Sequence, residues 1–386
     1  MTSSYHLEDR NKNVPKLRFK GYNDEWVKYQ LGKICKTYSG GTPNVSNLNF
    51  YNGEIPFIKS GEIHSNQTAM YITEEGLKNS SAKLVNKGDL LFALYGATSG
   101  EVDISKIDGA INQAILCVKS NYINLIFLKE ILSFNKNKIL CKYLQGGQGN
   151  LSADIFKTLK FKFPTLREQE KIASFLTLID KKIEKQKELV ELLKKYKRGL
   201  LSQIFSQNLR FKDNDGNDYP TWEEKRLEEI LKIKHGKSQK EIECANGNYP
   251  ILATGGEIGR TNSCLWDKPC VLIGRKGTID KPQYMETPFW TVDTLFYSEV
   301  FKENNAKYLY YLFNTINWNK YDESTGVPSL SAKTIERIKA TVSIRYTEQV
   351  TISKILSKLD NKTQQEECML SNIQTYKKGL LQQMFT

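Results

Sequence analysis

The stretch YKRGLLSQIF at 196–205 returns as YKKGLLQQMF at 376–385, and a repeat displaced by 180 residues narrows the folds open to this chain. The register holds backwards from there. Glu168 and Gln169 fall on Glu348 and Gln349, Ile172, Leu176 and Ile179 on Ile352, Leu356 and Leu359, and Asp180 on Asp360. Solenoid repeats are far shorter, roughly 20–50 residues, so this is one duplicated unit. Looser matches precede each copy. LRFK stands at 17–20 and 209–212, each followed by a tryptophan (Trp26, Trp222) and an apolar pair (Leu31 with Ile34, Leu227 with Ile230). GEIPFIKSGEI at 53–63 resembles GNYPILATGGEI at 247–258, and LSADIFKTLKF at 151–161 resembles LSAKTIERIKA at 330–340. The expected order is a polar leader (1–13), a globular unit (14–162), a helix (163–207), a second globular unit (208–343) and a second helix (344–386).

The helices follow from apolar spacing. Ile172, Leu176, Ile179, Ile183, Val190, Leu193, Leu200 and Ile204 recur at alternating steps of four and three, broken by Gln186 and Lys197. In the second copy the seam is Ile352, Leu356, Leu359, Leu370, Ile373, Leu380 and Met384, broken at Thr363, Glu366 and Lys377. Such a seam is that of a coiled coil, and two matched seams in one chain are expected to pack on each other. Thr165 and Glu168 read as a capping box opening the first helix. The second helix is expected to begin near Ile344.

A length of 386 residues exceeds one ordinary core and points to two or three domains. The globular units read as α/β (α+β). Apolar runs at 89–96, 114–118, 270–274 and 294–298 have the character of strands, and helices are expected around 124–134 and 306–316. The internal repeat predicts pseudo-two-fold architecture. The N-terminal residues are polar, without a signal-peptide core, and no apolar run is long enough to span a bilayer, so a cytoplasmic location is expected. Seven scattered cysteines without CxxC spacing favour small hydrophobes in a reducing compartment over disulfides or zinc.

The net charge of +13 points to a polyanionic partner, and its distribution is uneven: +7 over 1–162, +4 over 163–207, zero over 208–343 and +2 over 344–386. Catalytic motifs are scarce. Of three histidines none forms HExxH, and GKS at 236–238 lacks the leading glycine of a phosphate loop because position 231 is Leu231. GGQG at 146–149 and GGEIG at 255–259 lack dinucleotide-site spacing. The N-P-P-aromatic or D-P-P-aromatic stretch of amino-methyltransferases is not found. Glycine is expected to serve tight turns and close approach of backbone to a ligand. What remains is a set of polar loops at corresponding places. In the first unit they offer Thr42, Asn44, Lys59, Ser60, Tyr95, Thr98, Gln113, Gln148 and Asn150 as DNA-contacting candidates. In the second they offer Lys237, Gln239, Lys240, Thr254, Arg275, Lys276 and Ser329. Arg, Lys, Gln and Asn read base edges, whereas Ser, Thr, Lys and main-chain amides grip phosphates. Ordinary solvated turns have the same composition. Two units alike in their helices and unlike in their loops nevertheless look like readers of two different targets.

The duplicated order, the helix entry FPTLREQEKIASFLTLIDKKIEKQ, the two YK(R/K)GLL exits and the opening LRFKGYNDEWVKYQLGKI resemble the specificity subunits of type I restriction–modification systems. The resemblance covers nearly the whole chain. It implies two target recognition domains, each reading one half of a bipartite double-stranded DNA site, joined by two long antiparallel helices acting as a ruler. It also implies a non-catalytic chain, without cofactor or metal of its own. Two methyltransferase subunits using S-adenosylmethionine and two restriction/translocase subunits using ATP and Mg would do the chemistry. Two other readings stay open: an enzyme acting alone, which would need a cofactor loop or carboxylate–lysine cluster, and a stand-alone DNA-binding regulator or coiled-coil interaction protein.

Overall fold

The computed structural model describes residues 14–143 and 150–385. They divide into two compact units, one of residues up to Lys185 together with those from Leu370, the other from Gln186 to Met369. Each unit therefore takes part of both long helices.

In the first unit, β1 (Val27–Gln30) leads through a short helix α1 (Leu31–Ile34) to β2 (Lys36–Ser39). β3 (Tyr51–Ile58), β4 (Tyr71–Ile72), α2 (Glu74–Lys78), β5 (Lys83–Val85) and β6 (Leu90–Ala93) follow. After β7 (Val102–Ile104), β8 (Gly109–Ile111) and β9 (Ile115–Lys119) come α3 (Leu125–Tyr143), α4 (Ala153–Thr158) and β10 (Lys160–Phe163). The 40-residue helix α5 spans Leu166–Phe205. The strands form two four-stranded sheets, ordered β2-β9-β6-β7 and β4-β3-β8-β5, and an antiparallel ribbon of β1 with β10. Within the second sheet β3 and β8 run parallel, Ile58 opposite Ile111.

The second unit repeats this plan. β11 (Glu223–Arg226), β12 (Leu231–Lys234), β13 (Tyr249–Ala253), β14 (Gly256–Thr261) and β15 (Cys270–Gly274) precede β16 (Gln283–Met285), β17 (Trp290–Thr291) and β18 (Leu295–Val300). Then come α6 (Ala306–Phe313), α7 (Ala332–Arg337), β19 (Lys339–Val342) and the 40-residue α8 (Tyr346–Phe385). The sheet orders are β12-β18-β15-β16 and β14-β13-β17, with a ribbon of β11 and β19. β13 and β17 are again the parallel pair.

The apolar runs become strands because they are covered on both faces. β6 and β15 are buried at every position. Cys117 on β9 and Cys270 on β15 are core residues, their thiols pushed up by burial to about 11 and about 12. Cys141, Cys264 and Cys368 instead face solvent, so the small-hydrophobe reading does not extend to them. Helix α3 continues well past 134. Polar Asn135 and Lys136 interrupt the apolar pattern, but buried Ile139 restores it a turn later. The helix expected over 306–316 ends at Phe313, and α8 begins at Tyr346.

Each core takes in the ends of both long helices. In the first, Trp26, Phe127 and Phe163 pack with Ile172, Leu176 and Met384. In the second, Trp222, Tyr308 and Trp318 pack with Leu201, Ile204, Ile352 and Leu356. Full burial of one such side chain stabilises by roughly 1.5–3 kcal/mol. The seam therefore faces both the partner helix and the globular body. Val190 is buried, while Ile179, Ile183, Leu193, Leu200, Leu359, Leu370 and Ile373 are partly buried; Leu380 is buried.

The breaks in the seam are where the helices are polar to each other. Gln186 Nε2 donates to Glu366 Oε2 at 2.6 Å and to the Glu366 carbonyl at 3.0 Å. Lys197 pairs with Asp360, which also accepts from the Tyr311 hydroxyl at 2.7 Å. In the first unit Lys377 pairs with Asp180 at 2.6 Å and with buried Glu130 at 2.9 Å. Rising numbers on one helix meet falling numbers on the other, so the pairing is antiparallel.

The LRFK and Glu-Gln repeats meet in the same way in both units. Arg18 donates from Nε and Nη2 to the two carboxylate oxygens of Glu168, each at 2.7 Å. Arg210 Nε donates to Glu348 at 3.2 Å, and the Trp222 indole and Ser343 hydroxyl add bonds of 3.0 and 2.6 Å. The carboxylate of Glu168 is thus engaged by Arg18 and not by the main chain at Thr165, which corrects the capping-box expectation. Gln169 accepts from the Asn124 amide and Gln349 from the Asn305 amide, tying α5 and α8 to the starts of α3 and α6.

Candidate nucleic-acid interface

In both units the parallel strand pair delivers two loops to one end of the fold. In the second unit Thr254 follows β13, and Val292 to Thr294 follow β17. The Thr294 carbonyl collects the Thr254 hydroxyl at 2.7 Å and the main-chain amides of Arg275 and Lys276 at 2.8 and 3.4 Å. The Arg275 carbonyl accepts from the Leu330 amide at 2.9 Å, the Gly277 amide donates to Pro328 at 2.8 Å, and Lys276 is bridged to Ser329. The Lys237 amide donates to Thr291, and its carbonyl accepts from the Trp290 indole at 2.9 Å.

Main-chain groups, with the Thr254 hydroxyl and the Trp290 indole, therefore hold the loops, and the lysine side chains are left over. Lys237 and Lys276 are exposed, and Arg275 is half-buried with Nη1 3.3 Å from the Asp293 carbonyl. Arg275, Lys276 and Ser329 line an open cleft of about 430 Å³ together with His235 and Lys333. Asp322 pins its far wall, accepting from the amides of Ser329 and Ser324 at 2.9 and 3.0 Å, and these bonds hold its carboxyl below the usual range. Gln239 and Lys240 lie apart from this group on the following turn, where the Ile242 and Glu243 amides bond to the Gln239 carbonyl.

The first unit has the same anchors with other side chains. The Leu94 amide donates to Ala114 and its carbonyl accepts from the Leu151 amide, both at 2.8 Å, as Arg275 does with Thr294 and Leu330. Tyr95 thus stands where Lys276 does, Asn150 where Ser329 does, and Gln113 where Asp293 does. Thr42 joins this face by donating to Gln113 Oε1 at 2.6 Å. Lys59 and Ser60 leave the end of β3 beside it, the Lys59 amide held by Glu62 at 3.1 Å. Thr98 sits in the turn after Tyr95. Asn44 caps its own turn, Oδ1 accepting from Ser46 at 3.0 Å, and so is spoken for locally. Gln148 lies outside the described residues.

Two glycines make these faces possible. A Cβ on Gly40 would collide with the Ile111 carbonyl, and one on Gly236 with the Val292 carbonyl. The close approach expected of glycine is here to the protein's own main chain. Their matching roles were hidden because the flanking residues, SGGT and HGKS, share little else.

Among the described residues no cluster of His, Cys, Asp and Glu could hold a metal ion. No helix among them is long and apolar enough to cross a membrane.

Fold and site together define a class: a duplicated α/β scaffold on paired antiparallel helices, presenting in each copy one loop face with its own side chains. The family model for the type I restriction modification DNA specificity domain matches residues 23–194 and 219–374, and the chain belongs to that family. Among similar proteins, the type I restriction enzyme MjaIX specificity subunit of Methanocaldococcus jannaschii is 28% identical over 256 residues, 59% of this chain and 57% of that one. The EcoR124I/EcoR124II specificity subunit of Escherichia coli is 27% identical over 186 residues, 44% of this chain and 46% of that one. These alignments thus span only about half the length of such relatives. Among solved structures, a type I restriction–modification S subunit from M. genitalium superposes with a TM-score of 0.67 at 20% identity, covering 97% of this chain and 99% of that one. A chain from a study of type I system assembly and conformational transition gives a TM-score of 0.57 at 14% identity, covering 94% and 98%.

Proposed function

We propose that this chain is the DNA sequence-specificity subunit of a type I restriction–modification complex. Residues 14–162 and 208–343 each read one half of a bipartite duplex site, in the cytoplasm, and the helices set the spacer. The observation that carries this reading is the pair of loop faces with equivalent main-chain anchors and different side chains. Tyr95, Gln113 and Asn150 in one stand where Lys276, Asp293 and Ser329 stand in the other. A shared scaffold with exchanged side chains is what reading two different half-sites requires.

The chemistry belongs to partners: two methyltransferase subunits using S-adenosylmethionine, and two restriction/translocase subunits using ATP and Mg. Exposed Leu189, Leu192 and Tyr196 recur at three- and four-residue steps along α5 and support docking of a partner helix there.

The test is to co-express the chain with its methyltransferase and map methylated adenines. A two-part target is expected, and exchanging 14–162 for the corresponding region of a relative should change one half only. Change in both halves, or in neither, would sink the modular reading. Sequence-specific binding with no methyltransferase co-purifying would favour a stand-alone regulator.

A further inference from the structure

Four lysines of the first unit gather in a second cleft of about 540 Å³. It lies between the end of α3 and the β1–β10 ribbon, and its walls carry Lys28, Lys138, Lys142 and Lys160 with no carboxylate among the lining residues. All four lysines are exposed, and none has an ion pair among the described residues. Lys28 stands directly across the ribbon from Lys162. Like charges placed opposite one another destabilise a strand pair, so pairing of the ribbon does not account for Lys28 at this position. Hydroxyls complete the wall. The Tyr143 phenol, bonded by Thr158 and flanked by Lys142, is held below its ordinary value.

The second unit supplies an internal control. In its ribbon Glu224 takes the place of Lys28 and Lys339 that of Lys160, and the two form an ion pair at 2.7 Å. The same ribbon thus forms with opposite charges at these two positions, and the first unit has lysine at both.

We infer that this cleft is a phosphate-backbone site for duplex DNA flanking the half-site read by the first unit. Its position favours DNA over an acidic protein surface. The Leu151 amide is fixed to the loop face, and Thr158 to Lys160 lie at the other end of α4, whose six residues rise about 9 Å. At roughly 3.4 Å per base pair that rise is about three base pairs, within reach of a duplex seated on the loops. Lys138 and Lys142 are one turn apart on α3, side by side on one face. Such contacts position the duplex and carry no base information.

This inference rests on the DNA-reading function proposed above, and one experiment separates the two. The complex with its methyltransferase is titrated with a duplex carrying the mapped target, and with one whose first half-site is scrambled, over a range of NaCl concentrations. Each phosphate contact contributes about 0.9 to the slope of log K against log salt. Replacing Lys28, Lys138, Lys142 and Lys160 by Gln should lower that slope by about 2–4 while the target-to-scrambled ratio stays unchanged. The same four changed to Arg should keep the wild-type slope, which also shows that the site tolerates substitution. Glu224→Gln with Lys339→Gln in the second unit should leave the slope where it was. An unchanged slope in the Gln variant, with wild-type target binding intact, overturns the lysine site alone. So does loss of methyltransferase co-purification with an unchanged slope, which would assign the cleft to a protein partner. Absence of any target preference in the wild-type complex would overturn the functional reading itself.

Discussion

Arg275 and Gly236 lie on one loop face and do opposite work. The main chain of Arg275 is bound on both sides, and its guanidinium, which donates one 3.3 Å bond from Nη1 to the Asp293 carbonyl, keeps its other donors for a ligand. Changing Arg275 and Lys276 to Ala should therefore weaken DNA binding by about tenfold or more, in the range of a lost base contact of 1–3 kcal/mol. The melting temperature should barely move, and lost base preference should be confined to the second half-site. Gly236→Ala forces a collision with main chain, so it should lower the melting temperature and impair that half-site together. Calorimetry and methylation mapping on both variants check the contrast. Elsewhere, His64 Nδ1 lies 2.9 Å from Asp103 Oδ2. That bond holds the imidazole above its usual value, more than burial lowers it. Burial works against Asp103 ionising, but the bonds from His64 and the Ile104 amide hold its carboxyl below the usual range. The pairing is fully present below about pH 6.5, the ordinary histidine value, and fades as pH rises through the raised one. At the acid end it is lost as pH falls through the depressed value of Asp103. An NMR titration of the His64 ring should show a midpoint above about 6.5 that drops in Asp103→Asn; no drop would remove Asp103 as the cause.

At the level of elements, the helix seam is polar at Gln186, Lys197, Glu366 and Lys377, and the partners of these residues set the register. Lys377 serves buried Glu130 as well as Asp180. Lys377→Met should cost roughly 1.5–3 kcal/mol, because it removes one of the two lysines, with Lys129, that offset buried Glu130 and Asp180. A shift of the urea midpoint at constant slope measures it, and a neutral result would mean Lys129 alone suffices for those carboxylates. The duplication and both long helices were legible in the sequence because apolar spacing and a 180-residue register are local signals. The main-chain-fixed loops were legible as polar, Gly-rich stretches, but the bonds that gather Thr254, Arg275 and Ser329 join residues far apart in the chain. The Arg18–Glu168 and Arg210–Glu348 contacts were hidden differently. Both motifs were visible as repeats, yet Glu168 also fits a capping box three residues after Thr165, and only the fold brings LRFK to it. The lysine cleft draws on three separated segments, each of ordinary composition.

For the whole molecule, the proposed function makes the helices the measure of half-site spacing. Each has 40 residues and so spans roughly 60 Å. Half-sites read in successive major grooves lie about 34 Å apart. Four residues inserted into α5, matched by four in α8, add up to about 6 Å, which is one or two base pairs at roughly 3.4 Å each. The unspecified spacer in the methylated target should lengthen by that amount while both half-site sequences stay the same. Some stability should be lost, since four residues do not complete a heptad. An unchanged spacer with full activity would show that the helices do not set the distance.

The anchoring of the loop faces by their own main chain also bears on inheritance. A side chain that contributes nothing to folding can be replaced at little thermodynamic penalty, within about 0.5 kcal/mol for exposed positions. Lys276, exposed on a loop whose amides and carbonyls are already bound, is such a position. Mutations there pass the filter that removes unstable proteins and are judged on recognition alone. Under the proposed function, a lineage carrying this scaffold can therefore change its preferred sequence by single steps, each intermediate still folded.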